Sequence, residues 1–89
     1  MKLMTIYQGD NKIELHNSIL GKETVYVNNE EVSSKYSFWG TSHVFDVLED
    51  SEWVEYELVT GLGMYGVTID LYREGYAIIE SSSGCRSGI

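Results

Sequence analysis

Asp46, Glu55 and Asp70 are the residues whose types and spacing come nearest to chemistry in this chain. Ser42 to Leu48, Trp53 to Val59 and Tyr65 to Leu71 fold on paper into three antiparallel strands. One register sets Phe45 against Tyr56 and Tyr56 against Ile69. Val47, Val54 and Leu71 make the next row, and His43, Leu58 and Val67 the one after. The same register lines up the three carboxylates on the opposite face. Like charges directly opposite one another destabilise a sheet, so such a row needs a cation, a basic neighbour or water. Ca²⁺ takes six to eight oxygens at ~2.3–2.6 Å, and strands ~4.8 Å apart bring carboxylates within reach, although dedicated sites also recruit loop carbonyls. Glycoside hydrolysis would need a cleft and an aromatic platform beside the acids, for which Trp53 and Tyr72 lie near. The plainer expectation is a solvated sheet face partly neutralised by Lys35 or Arg73.

Other chemistry has less to stand on. His16 and His43 fall on different strands, and alternation sends His43 inward beside Leu58, which suits a satisfied histidine at the sheet rim better than a ligand or base. No serine has the strand-turn-helix setting of a nucleophile elbow. The run Gly61-Leu62-Gly63-Met64-Tyr65-Gly66 lacks the helix and lysine of a phosphate loop and reads as a hairpin turn. Cys85 is the single cysteine, so no internal disulfide can form and a site of several thiolates is excluded.

The elements that position these residues are strands. Apolar and polar residues alternate with a period of two, and helical periodicity is absent. Leu3 to Tyr7 and Ile13 to Asn17 read as strands around Gly9-Asp10-Asn11. Glu23 to Val27 and Glu30 to Lys35 form a hairpin across Asn28-Asn29, residues that tolerate the positive φ of a type I′ turn. A two-residue loop there pairs Val25 with Val32 and Tyr26 with Glu31. Arg73-Glu74-Gly75 suits a three-residue hairpin that sets Ile69 against Ile79 and Leu71 against Ala77. About eight short strands predict an all-β fold, a small antiparallel β-sandwich or flattened barrel. Its inner set is Ile13, Leu15, Val25, Val27, Val32, Phe45 and Val47, with Val54, Tyr56, Leu58, Val67, Ile69, Leu71 and Ile79. Residues 1–80 make one domain and 81–89, small and polar, a flexible tail. With no proline in the chain, edge strands must be protected by charge and bulges.

Composition bounds the partners. Fourteen acidic against six basic residues give a net charge of −8, which argues against nucleic acid and anionic membranes. The first residues hold no apolar run long enough for a signal peptide, and nothing approaches a membrane span, so the expected location is cytoplasmic.

The run Lys12-Ile13-Glu14-Leu15-His16, then Gly21-Lys22-Glu23, then Val25-Tyr26-Val27-Asn28-Asn29-Glu30-Glu31-Val32, followed by Gly40 and Phe45, resembles the repeat of the Fas apoptotic inhibitory molecule family. The likeness spans residues 11–47. Asn28-Asn29 stands where that family prefers Asp-Gly, and Ser37-Phe38-Trp39 matches its aromatic segment loosely. The resemblance implies a compact antiparallel β-sandwich with a non-enzymatic role through protein contacts and no catalytic residues to carry over, and no cofactor is expected.

The outer face of the central hairpin is mixed. Val44, Leu48, Trp53 and Val59 share it with the carboxylates, and Leu48 pairs with Trp53. A contiguous apolar patch with an aromatic anchor and a charged border is the anatomy of a protein interface. The expected role is therefore a non-catalytic protein-binding or structural module. Asp46, Glu55, Asp70, Trp53 and Leu48 would meet a protein partner or a second copy, with room for a weakly held divalent cation. The alternative is a small cation-dependent hydrolase or carbohydrate-active domain using the same carboxylates.

Overall fold

Eight strands make up most of the computed structural model, which describes residues 1–64 and 66–80. They are β1 (Lys2–Gln8), β2 (Asn11–Asn17), β3 (Lys22–Val27), β4 (Glu30–Tyr36), β5 (Ser42–Glu49), β6 (Glu52–Gly63), β7 (Gly66–Arg73) and β8 (Tyr76–Glu80). Consecutive strands pair antiparallel into two four-stranded sheets, β1-β2-β3-β4 and β5-β6-β7-β8. The fold is an all-β sandwich, and no helix occurs among the described residues. The expected tail, with Cys85, lies outside them.

Local chemistry accounts for the tight connections. Asn28 and Asn29 both take positive φ, 53° and 71°, as the two-residue turn predicts. Asp50-Ser51 and Glu74-Gly75 do the same. The last of these corrects the expected three-residue loop: Leu71 meets Ile79 and Tyr72 meets Ala77.

The register of β5 on β6 is the one expected, from Ser42 opposite Val59 to Glu49 opposite Glu52. Between β6 and β7 it differs by four positions: Tyr56 faces Arg73, Leu58 faces Leu71, and Thr60 rather than Tyr56 faces Ile69. The cause is the glycine-rich run, which continues β6 to Gly63 instead of turning. Thr68 sits over the bare backbone of Gly61 and Gly63, where an added Cβ would meet its side chain at 3.0 and 2.9 Å. A shift of four preserves the alternation, so each side chain keeps its face and changes its neighbour.

Ten apolar side chains fill the space between the sheets: Ile13, Leu15, Val25 and Val27 from one, Phe45, Val47, Val54, Tyr56, Leu58 and Leu71 from the other. Phe45 stacks on Tyr56 with centroids 5.9 Å apart. Each fully buried side chain of this size contributes ~1.5–3 kcal/mol. Ile69 and Ile79 pack partly buried against this cluster. Two expected core members are outside it. Val67 faces Leu62 near the β6–β7 turn and is 54% exposed, and Val32 is bulged out of β4 and 36% exposed.

Candidate functional site

The outer face of the β5–β8 sheet can be built row by row from the register. Leu48 lies opposite Trp53, Asp46 opposite Glu55, Val44 opposite Glu57, and Ser42 opposite Val59. Trp53 is 69% exposed and Leu48 half exposed, so the indole and its apolar neighbour stand in solvent beside the Asp46–Glu55 pair. The third carboxylate of that row is Glu74, not Asp70. The Glu55 N–H donates to Glu74 Oε2 at 3.0 Å, and the Glu74 N–H donates to the Glu55 carbonyl at 2.9 Å. Asp70 faces Val59 on one side and Glu80 on the other and is buried. The four-position register shift separates it from Glu55.

Neither expected cation serves the Asp46–Glu55 row. Lys35 donates through Nζ to the Ser42 carbonyl at 2.6 Å. Arg73 points to the other side of the sheet, where its Nε donates to Glu49 Oε1 at 3.1 Å. None of the ion pairs formed by Glu14, Glu23 and Glu49 reaches Asp46 or Glu55. On the same face the Tyr72 phenol is pushed above its ordinary range, first by burial and then by Asp70, Glu80 and Glu57.

Beside this face the two sheets part. A groove of about 340 Å³ opens between β4 and β5, with Val27, Val32, Val47, Leu48 and Trp53 as its apolar lining. Glu30 and Asp46 supply its charge, both negative. The groove was not legible in the sequence, because β4 and β5 belong to different sheets and only their packing brings Val32 near Val47.

A second polar cluster lies in the interior. His43 has no exposed surface; Nδ1 sits 2.7 Å from Ser33 Oγ and Nε2 3.2 Å from Glu23 Oε1. The Thr60 hydroxyl donates to the same Glu23 oxygen at 2.8 Å. Because a carboxylate only accepts, Nε2 carries a proton toward Glu23, and Nδ1 shares a hydrogen bond with the Ser33 hydroxyl. Four strands from both sheets are thereby joined, and both nitrogens of His43 are committed, which suits a structural pin rather than a base. The bulge at Val32 has its reason here. It pairs Val25 with Ser33 instead of the expected Val32, turning a hydroxyl inward to satisfy the buried imidazole. The sequence carried a signal for Glu23 that went unused: it shares the inward phase of Val25 and Val27.

At the opposite end Glu49 accepts from Arg73 and from the Tyr56 hydroxyl. The Arg73 contact, then the Tyr56 contact, hold the Glu49 carboxyl below its usual range. Burial, then Glu49, push the Tyr56 phenol up to about 12. Among the described residues no three His, Cys, Asp or Glu side chains converge as a metal site. No family model, curated protein or solved structure matches the chain.

Proposed function

We propose that this domain is a non-catalytic binding module whose acidic, partly apolar β5–β6 face receives another protein. The observation that supports it is the company of Trp53: a large exposed indole beside Leu48, bordered by Asp46 and Glu55, which no cation of the described residues neutralises. A desolvated aromatic anchor supplies affinity, while a charged border selects partners of opposite sign and speeds encounter. The occupant in this reading is basic. A second copy carries the same net charge of −8 and would bring like charges together. The likeness to the Fas apoptotic inhibitory molecule repeat points the same way, toward protein contacts without chemistry.

The test is selection of binders from a displayed protein library by the wild-type domain, followed by measurement on Trp53→Ala and Glu55→Lys. Each substitution should weaken the recovered partner at least about tenfold, the scale of an interface anchor, while leaving thermal unfolding within a few degrees. Binding should also weaken as salt rises. Partners that bind both variants as tightly as wild type would remove this face from consideration.

A further inference from the structure

The four edge strands of the sandwich are not alike. β1 carries an extra residue at Leu3, β4 at Val32 and β8 at Ile78, each seen as a one-residue register shift against its neighbour. A bulge twists an edge and interrupts its row of backbone groups, a common way for a sheet to refuse another strand. β5 has no bulge. Its eight residues run in unbroken register along β6.

The direction of its backbone groups follows from one bond. The Thr60 N–H donates to the Thr41 carbonyl at 2.8 Å, so the hydrogen-bonded pairs of β5 with β6 involve odd-numbered β5 residues. The even-numbered residues therefore turn their N–H and C=O groups outward. Two of those carbonyls are capped by side chains: Ser42 by Lys35 Nζ at 2.6 Å, and Leu48 by Asn11 Nδ2 at 3.1 Å. Asn11 is itself held by Asn28 Nδ2 at 2.8 Å. Between the two caps, ~20 Å apart at ~3.3 Å per residue, Val44 and Asp46 direct their donors and acceptors out of the sheet, and no other described residue meets them. The groove lined by Val27, Val32 and Val47 lies on the inner side of this edge.

We infer that β5 accepts an extended basic peptide as a ninth strand, lying antiparallel along Val44–Leu48, bonded through the free backbone groups of Val44 and Asp46 and opposite the Asp46 carboxylate. This proposal rests on the reading of the acidic face as a partner-binding surface and specifies how the partner is held. Main-chain bonds in such strand addition give affinity, and alternate side chains give specificity. A residue opposite Asp46 shares its outer face, so lysine or arginine fits there. Residues opposite Val44 and Leu48 share that face as well and are apolar. Those between them face the groove over Val32 and Val47 and are also apolar. The recognised pattern is thus a single basic residue inside an apolar, extended segment. A second copy of this chain offers an acid at that place and is repelled.

The experiment uses a fluorescein-labelled peptide with Leu-Val-Lys-Val-Leu at its centre, titrated with the whole chain and read by anisotropy. N-methylation of the central lysine removes the donor aimed at the Asp46 carbonyl and should weaken binding at least about tenfold. N-methylation of an adjacent valine, whose N–H points away, should leave it unchanged. Asp46→Lys should lose the lysine peptide and gain its central-glutamate counterpart, an exchange that a misfolded variant cannot produce. Equal effects of the two methylations, no binding at millimolar peptide, or a concentration-dependent dimer through β5 would overturn the proposal. If the methylations act equally while Trp53→Ala and Glu55→Lys still abolish binding, strand addition fails and the face survives. If the edge effects hold while those two variants bind normally, the broader face fails.

Discussion

Glu14 on one outer face of the sandwich and the Asp46–Glu55 pair on the other are treated in opposite ways. On the β1–β4 sheet, Glu14 is buried among Lys2 Nζ at 3.0 Å, Lys12 Nζ at 3.8 Å and His16 Nε2 at 4.0 Å. On the β5–β8 sheet, Asp46 and Glu55 stand opposite each other in solvent with Trp53 and Leu48 beside them. A carboxylate gathered in by several cations has its electrostatic needs met within the domain. A pair facing each other without cations stores repulsion that an incoming basic group relieves. The difference separates an acid neutralised within the domain from a pair left facing solvent.

Both faces lean on one core, and emptying that core should have the largest effect. Tyr56→Ala removes the ring stacked on Phe45 and should cost about 3–5 kcal/mol in urea unfolding, enough to abolish folding in so small a domain. An unmoved unfolding midpoint would mean that the β5–β6 face has no packed backing, and the contrast between faces would lose its basis.

The contrast itself is broken or sharpened by matched substitutions. Glu14→Ala strands two lysines and should destabilise the domain measurably. Glu55→Ala should stay within about 0.5 kcal/mol of wild type, as surface changes do, or stabilise it slightly by relieving Asp46. Equal losses in thermal unfolding would show that the two faces are energetically equivalent.

The smallest effect is in acid. The Glu14 carboxyl is held below its ordinary range, chiefly by its hydrogen bond with Lys2, and Glu49 by its bond with Arg73. Groups with a lowered folded pKa contribute stability that is fully present above the unfolded value, ~4.3, and lost as pH falls through the folded value. Stability should therefore decline below about pH 4.5. Glu14→Gln and Glu49→Gln should each flatten that decline, and chemical denaturation at a series of pH values measures it. An acid limb unchanged in both variants would contradict the assignment of these two groups.

By itself the sequence determined which residues face inward wherever a strand carries no bulge, because alternation is a local property of a strand and survives any register shift of even length. It placed His43 inside beside Leu58, set Phe45 against Tyr56, and marked the Asn28-Asn29 turn, where two small polar residues accept positive φ. It also put Leu48, Trp53, Asp46 and Glu55 on one face. Tertiary structure alone decided the rest. Registers that differ by two or four are equivalent in alternation, so the extension of β6 through Gly61 and Gly63 moved Asp70 away from Glu55 without altering its face. The demand of a buried imidazole for a partner turned Ser33 inward and pushed Val32 into the groove. Bulges on three edges and none on the fourth, together with the parting of β4 from β5, exist only in the folded sheets and are not encoded in a strand-by-strand reading of the chain.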